Sequence, residues 1–299
     1  MTTRKSTSSW AVRHERGSAF LIRFIAWLAR TSGRPVARVL LYPITLYFVL
    51  FAPVARRSSA DYLRRMLGRR ARAGEVFAHL HCFAATILDR VFFLSERFDL
   101  FDIDIEGLDA LHSAQAGGQG TILLGAHFGS FDAMRAIAQA SEQRNLKIMM
   151  YEGNDSTVVQ ILEAINPSLC EQIIPLGPPE SLIAVRDSLE AGDMVGILGD
   201  RITHGEKTFE VDFLGSKISV AAGPWLLSAI TKAPVVVFSA VYDGGNRYKV
   251  YLQRLERGAG GNARDTGQGQ AFAQAYMDTI AKWARRHPYN WFNFYDFWT

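Results

Sequence analysis

Apolar residues follow two different patterns along this chain. From Val36 to Val54 they form a stretch of nineteen positions interrupted only by Arg38, Pro43, Thr45 and Pro53. Farther on they return in short bursts separated by amphipathic stretches. The bursts predict strands at 120–125, 145–151, 172–175, 194–199, 235–242 and 247–253. The stretches between them predict helices at 131–143, 155–165, 180–190 and 270–286, and Pro224 opens another after Gly223. In the 180–190 segment Leu182, Val185 and Leu189 recur at helical spacing, and Gly192 ends it. Asp243-Gly244-Gly245-Asn246 predicts a turn between the last two strands, and residues 257–269 read as a Gly-rich polar loop. Such alternation predicts an α/β body over residues 73–299, with a mostly parallel central sheet flanked by helices.

The long apolar stretch belongs to a separate amino-terminal helical segment, residues 1–72. Its length suits a membrane span, but Arg38 and Pro43 argue against a straight one. Charge sharpens this picture. Residues 1–72 hold fifteen Lys/Arg against Glu15 and Asp61, a net of +13, whereas 73–299 carries a net of −9. A basic leader would suit nucleic acid if its remaining residues were polar; here they are apolar, which excludes that partner. Arg30 and Arg34 precede the apolar stretch, Arg38 lies near its start, and Arg56 and Arg57 follow it. The expected arrangement is a helix pair in or on the cytoplasmic leaflet of a bacterial inner membrane, with arginines on anionic headgroups. A single span and a buried core helix are the competing readings, and no cleavage pattern follows the stretch. The arginine-rich segment 56–72 reads as a helix against headgroups or an acidic partner, and Glu75 to Phe93 as a helix into the body. Two cysteines, Cys82 and Cys170, make no disulfide framework. Cys82 lies near His79 and His81, but no second ligand pair follows, so no metal site is expected.

Candidate chemistry centres on Gly125-Ala126-His127-Phe128-Gly129-Ser130-Phe131-Asp132, directly after the predicted strand 120–125. A histidine at a strand's carboxyl end lies where open α/β sheets hold ligands. Its imidazole can take a proton from an alcohol while a carboxylate fixes the tautomer, and Asp132 is the expected carboxylate. Ser130 is the expected helix cap. A histidine with a merely capping aspartate is the structural alternative. There is no Walker A loop, no dinucleotide Gly-x-Gly-x-x-Gly and no Gly-x-Ser-x-Gly elbow, so Ser130 is a poor covalent nucleophile. A membrane-attached His/Asp base without a covalent nucleophile points to group transfer onto a lipid-like acceptor.

These residues resemble the bacterial lipid A late acyltransferases (the lauroyl/myristoyl transferases), within the lysophospholipid and glycerol-phosphate acyltransferase superfamily. The likeness spans the apolar leader to the carboxyl end and is carried by three blocks. The first runs from His127 to Asp132. The second is Gly199-Asp200-Arg201 with Gly205 and Val211-Asp212-Phe213-Leu214-Gly215. The third is Ala222-Gly223-Pro224 with Thr231-Lys232-Ala233-Pro234-Val235-Val236. The resemblance implies a glycerol-phosphate acyltransferase-like fold and an acyl-thioester co-substrate, acyl carrier protein or acyl-CoA. It implies a lipid or glycolipid acceptor and no metal or other cofactor. Tyr151-Glu152-Gly153-Asn154-Asp155 stands where many lipid A enzymes carry an arginine-bearing block, and Arg201 where Gln is common. Both departures bear on acceptor recognition. Acyltransferases of aryl-polyene and other lipid gene clusters look similar too, and the ending Trp291-Phe292-Asn293-Phe294-Tyr295-Asp296-Phe297-Trp298 fits them better.

The expected mechanism has His127 deprotonate the acceptor hydroxyl or amine while Asp132 holds the imidazole. Arg201, oriented by Asp200, or amides near Gly129 or Gly223-Pro224, would stabilise the oxyanion. Phe213 and Gly215 would line the acyl chain, and arginines between 56 and 72 would dock the acidic carrier. Asp200 and Arg201 have a structural salt bridge as their alternative, and Phe213-Leu214-Gly215 an ordinary core turn. The aromatic ending suits either a membrane interface or a tail that closes the core. A non-catalytic lipid-binding protein and a thioesterase- or lipase-type hydrolase are the competing function classes.

Overall fold

A computed structural model describes residues 19–140, 145–151, 165–177, 179–202, 205–256 and 265–298. Glu152 to Asp155 and most of the segments 155–165 and 257–269 lie outside the described residues.

Among the described residues the main sheet of the body has seven strands. These are β1 (Asp102–Glu106), β2 (Thr121–Gly125), β3 (Leu146–Tyr151), β4 (Ile173–Leu176), β5 (Met194–Leu198), β8 (Val235–Tyr242) and β9 (Arg247–Leu255). They lie in the order β1-β9-β8-β2-β5-β3-β4, and only the β8–β9 pair is antiparallel. All five residues of β2 are buried, as expected of a parallel strand covered on both faces. Alternate residues feed two cores. Ile122, Leu124, Val235 and Val237 pack on one side of the sheet, and Leu123, Val236 and Phe238 on the other. Helices α4 (Leu108–Gln115), α5 (Met134–Ala140), α6 (Pro179–Glu190), α7 (Gly223–Thr231) and α8 (Thr266–Arg286) flank the sheet. Helix α5 starts later than periodicity suggested, because residues 131–133 form a turn first.

Besides helix α4, two features went unforeseen. One is the edge strand β1, whose acidic alternation (Asp102, Asp104, Glu106) hides the apolar signal of Ile103 and Ile105. The other is a separate hairpin, β6 (Thr208–Phe213) and β7 (Ser216–Ala221). Leu214 and Gly215 form its two-residue turn with φ of 50° and 79°, the double left-handed geometry that matches strand twist.

Among the described residues the amino-terminal segment forms two helices, and a third leads from it into the body. The first, α1 (Ala19–Phe51), is broken by non-helical backbone at Gly33; α2 (Pro53–Leu67) follows at once, then α3 (Ala73–Leu94). Gly33–Phe51 and Ala73–Leu94 are both long and apolar enough to cross a membrane, but α3 is mostly buried in the protein. The end of α1 packs on α3 through a buried ion cluster. Asp89 takes Arg34 Nε and Nη2 at 2.7 and 2.8 Å, Arg38 at 3.4 Å and the Tyr248 hydroxyl at 2.9 Å. Arg34 and Arg38 are therefore structural pins and not headgroup contacts, because a fully buried carboxylate requires compensating charge. The opposite face of α1 stays open: Val39, Tyr42, Leu46, Tyr47, Leu50 and Phe51 are all exposed.

Candidate active site

Strand register brings the site together. Gly125, the last residue of β2, pairs with Leu198, the last of β5. Two residues farther on, His127 and Asp200 leave neighbouring strands at the same height on the carboxyl edge. The Gly199 amide donates to Gly125 O at 3.0 Å and fixes that register. Asp200 Oδ1 lies 2.9 Å from His127 Nδ1; the carboxylate is fully buried, whereas the imidazole side chain is 27% exposed. Burial alone would raise the Asp200 carboxyl. The His127 ring, the Arg201 guanidinium and the Asn293 amide outweigh it and bring the carboxyl down to about 2.

Asp132, which the sequence nominated for this place, lies elsewhere. Its Oδ2 accepts from Arg90 Nε of α3 at 2.6 Å. The turn at 131–133 aims this carboxylate at α3, while register delivers Asp200 to the imidazole. Ser130 Oγ accepts from the Ala133 amide at 3.4 Å, so it caps the turn at 131–133 and not α5 itself, which starts only at Met134.

The carboxyl-terminal tail completes the site. Phe128 forms an antiparallel bridge with Trp291, and the Phe292 amide donates to His127 O at 2.7 Å. The tail thus lies against the loop that carries the histidine. Asn293 is its polar centre: Nδ2 donates to Asp200 Oδ2 at 2.8 Å, and Oδ1 accepts from Arg201 Nε at 2.8 Å. Arg201 also faces the Tyr295 ring at 5.6 Å. Arg201 and Asp200 are therefore joined through one amide rather than by a simple salt bridge. Asn290 works alongside, with Oδ1 accepting from Tyr242 N at 2.8 Å and Nδ2 donating to Tyr242 O at 3.1 Å.

The remaining nominees divide. Gly129 is held at φ 79°, and a Cβ there would meet Ala240 O at 2.3 Å, so only glycine fits. Its amide donates to Asn290 O at 2.8 Å, and that of Ser130 to Ala240 O at 2.7 Å. Both donors expected near an oxyanion are thus committed to backbone. Pro224 lies beside Gly199, since a Cβ at Gly199 would stand 3.2 Å from its Cγ. The amino end of α7, with Gly223, therefore adjoins the edge that carries Asp200. Phe213 is buried with its ring 5.0 Å from Trp291, and Gly215 closes the hairpin turn. Phe213 belongs to the packing beneath the tail, as the core-turn alternative anticipated, whereas Gly215 is exposed with open space around it. Trp291 and Phe292 are buried as well, so this end of the chain closes the core.

Against this geometry, the family described as bacterial lipid A biosynthesis acyltransferase matches residues 8–299. The chain belongs to that family. No curated protein matches it. Lipid A biosynthesis acyltransferases are transferases that need a lipid acceptor and an acyl donor, and they are typically membrane-associated. The His127 block and the Asp200-Arg201 block, which carried the resemblance to this family, meet in space, and Pro224 of the third block lies beside them. Asn290, Asn293 and Arg90 were missed. The asparagines had a readable signal: amides inside Asn290-Trp291-Phe292-Asn293 had to find partners once the aromatics were buried. Arg90 had none, because one arginine on a mostly apolar helix does not reveal its partner. Among the described residues no group of three or more His, Cys, Asp or Glu is arranged to hold a metal ion.

Proposed function

We propose that this lipid A-type acyltransferase moves a fatty acyl chain from a soluble thioester, acyl carrier protein or acyl-CoA, to a hydroxyl of a lipid or glycolipid, working from the cytoplasmic face of the inner membrane. The carrying observation is the 2.9 Å contact between His127 Nδ1 and a fully buried Asp200. A proton held on Nδ1 by Asp200 puts the basic lone pair on Nε2. In this reading the acceptor hydroxyl gives its proton to Nε2 as its oxygen bonds to the thioester carbonyl carbon. Collapse of the tetrahedral adduct breaks the C–S bond, and the imidazolium returns the proton to the departing thiolate. The buried anion of Asp200 offsets the positive charge on the ring. Arg201 and the amino end of α7 are the groups assigned to the oxyanion or to an acceptor phosphate. Asp132 is assigned to hold the site turn against α3 through Arg90. No cofactor beyond the thioester co-substrate enters the scheme.

His127→Ala tests it. The purified variant should unfold like wild type and lose acyl transfer by about two to four orders of magnitude, the range for removing a general base. Lipid mass spectrometry of cells carrying either protein should differ by one acyl group. Wild-type turnover by the folded variant would refute the assignment. Release of free fatty acid without acylated acceptor would make the enzyme a hydrolase.

A further inference from the structure

The outer face of α2 borders an open cleft lined by Val49, Arg56, Arg57, Asp61, Arg64 and Arg70. Four arginines and one aspartate line it, a net of three positive charges. Asp61 is already engaged, its oxygens accepting from Arg64 at 2.7 Å and Arg65 at 3.0 Å. Arg56 turns to the Val49 and Leu50 carbonyls at 2.8 and 3.4 Å, capping the carboxyl end of α1. Arg57 and Arg70 are exposed, and their guanidiniums have no ion pair among the described residues. The row of arginines starts where the open apolar face of α1 ends, at Tyr47, Leu50 and Phe51, with Phe51 68% exposed.

Each half of this surface lacks something. Crowded guanidiniums need an anion, and a contiguous apolar face needs cover. One amphiphile supplies both. We propose that the cleft binds the phosphate of an anionic membrane phospholipid whose acyl chains lie against Tyr47 and Phe51. The site sets the depth and tilt at which the His127 edge meets the bilayer. An acidic carrier protein would use the arginines but leave the apolar face bare. The inference rests on the membrane-associated reading of the enzyme and not on its chemistry.

The test is vesicle partitioning of the full-length protein, wild type against Arg57→Gln/Arg70→Gln. The vesicles are phosphatidylcholine alone, or phosphatidylcholine with phosphatidylglycerol. Neither arginine has an ion pair to lose, so the double variant should fold. Each arginine at an anionic surface contributes about fivefold, so partitioning onto phosphatidylglycerol vesicles should fall about thirtyfold. Partitioning onto pure phosphatidylcholine should not change. Unchanged partitioning on both, or an equal fall on both, overturns the proposal. So does a loss of transfer from an acyl-carrier donor with partitioning intact, which would make the cleft a carrier dock. His127→Ala should partition as wild type, so failure of the catalytic reading would be seen separately.

Discussion

Two histidines flank the same tail dipeptide, and their surroundings give them opposite characters. His79 lies on the α3 side of Trp291-Phe292. Its Nε2 donates to Trp291 O at 2.5 Å, and its Nδ1 accepts from the Ser59 hydroxyl at 2.9 Å. Both partners are neutral and the ring is 1% exposed. Burial pushes its pKa down to about 4, only partly opposed by the Trp291 carbonyl. His127, on the other side, has an ionised carboxylate at Nδ1 and a quarter of its side chain open to solvent. A ring sealed between neutral partners is a strut; a ring backed by a buried anion and reachable from outside can carry a proton. Partner charge and access separate the two, not residue type.

The largest break in this comparison is to neutralise the anion behind His127. Asp200→Asn keeps the shape but offers an amide, which favours the wrong tautomer and removes the charge that stabilises the imidazolium. We expect kcat/KM to fall by about a thousandfold or more with the fold intact, by analogy with triads treated this way. A drop smaller than tenfold would mean that Asp200 is only packing.

A smaller effect lies in stability on the His79 side. The folded pKa is depressed below the usual 6.5, so the unfolded chain takes up the proton first as pH falls. The full contribution holds above pH 6.5 and is lost down to about pH 4, about 3 kcal/mol across that window. Urea unfolding at pH 7 and pH 5 should show the loss in wild type and a shallower one in His79→Gln. Burial lowers His81 and His287 too, so part of the slope remains. Transfer rates of His79→Gln should stay within a few-fold of wild type at pH 7. A thousandfold loss there would overturn its reading as a strut.

Legibility followed the range of the interactions. The central strands and most helices could be read because periodicity is local, as Thr121–Gly125 and Val235–Tyr242 show. The histidine was legible from its place after a buried strand. Its partner was not, because five residues of sequence separation competed with seventy-three. Choosing Asp200 required knowing that β2 and β5 are neighbours in register. The same blindness put Arg34 and Arg38 on a membrane when Asp89, more than fifty residues away, holds them. The apolar face of α1 was legible in outline, but which arginines of the amino-terminal segment remain without an ion pair became visible only once Asp61, Asp89 and Glu75 had claimed theirs.

Asp132→Asn therefore has the smallest expected effect and discriminates best. If Asp132 were the carboxylate behind the base, its amide variant would cost as much as Asp200→Asn. With Asp132 on Arg90, which is 28% exposed, the variant weakens a partly solvated ion pair. Such a pair contributes about 1 kcal/mol. The turn at 131–133 should loosen slightly, and kcat/KM should drop less than tenfold. Arg90→Gln should give a similar stability loss, and the double variant should add little to either, because the two side chains share one interaction. A thousandfold loss in Asp132→Asn alone, with Arg90→Gln near wild type, would restore Asp132 to the chemistry and require the turn to rearrange once substrate binds.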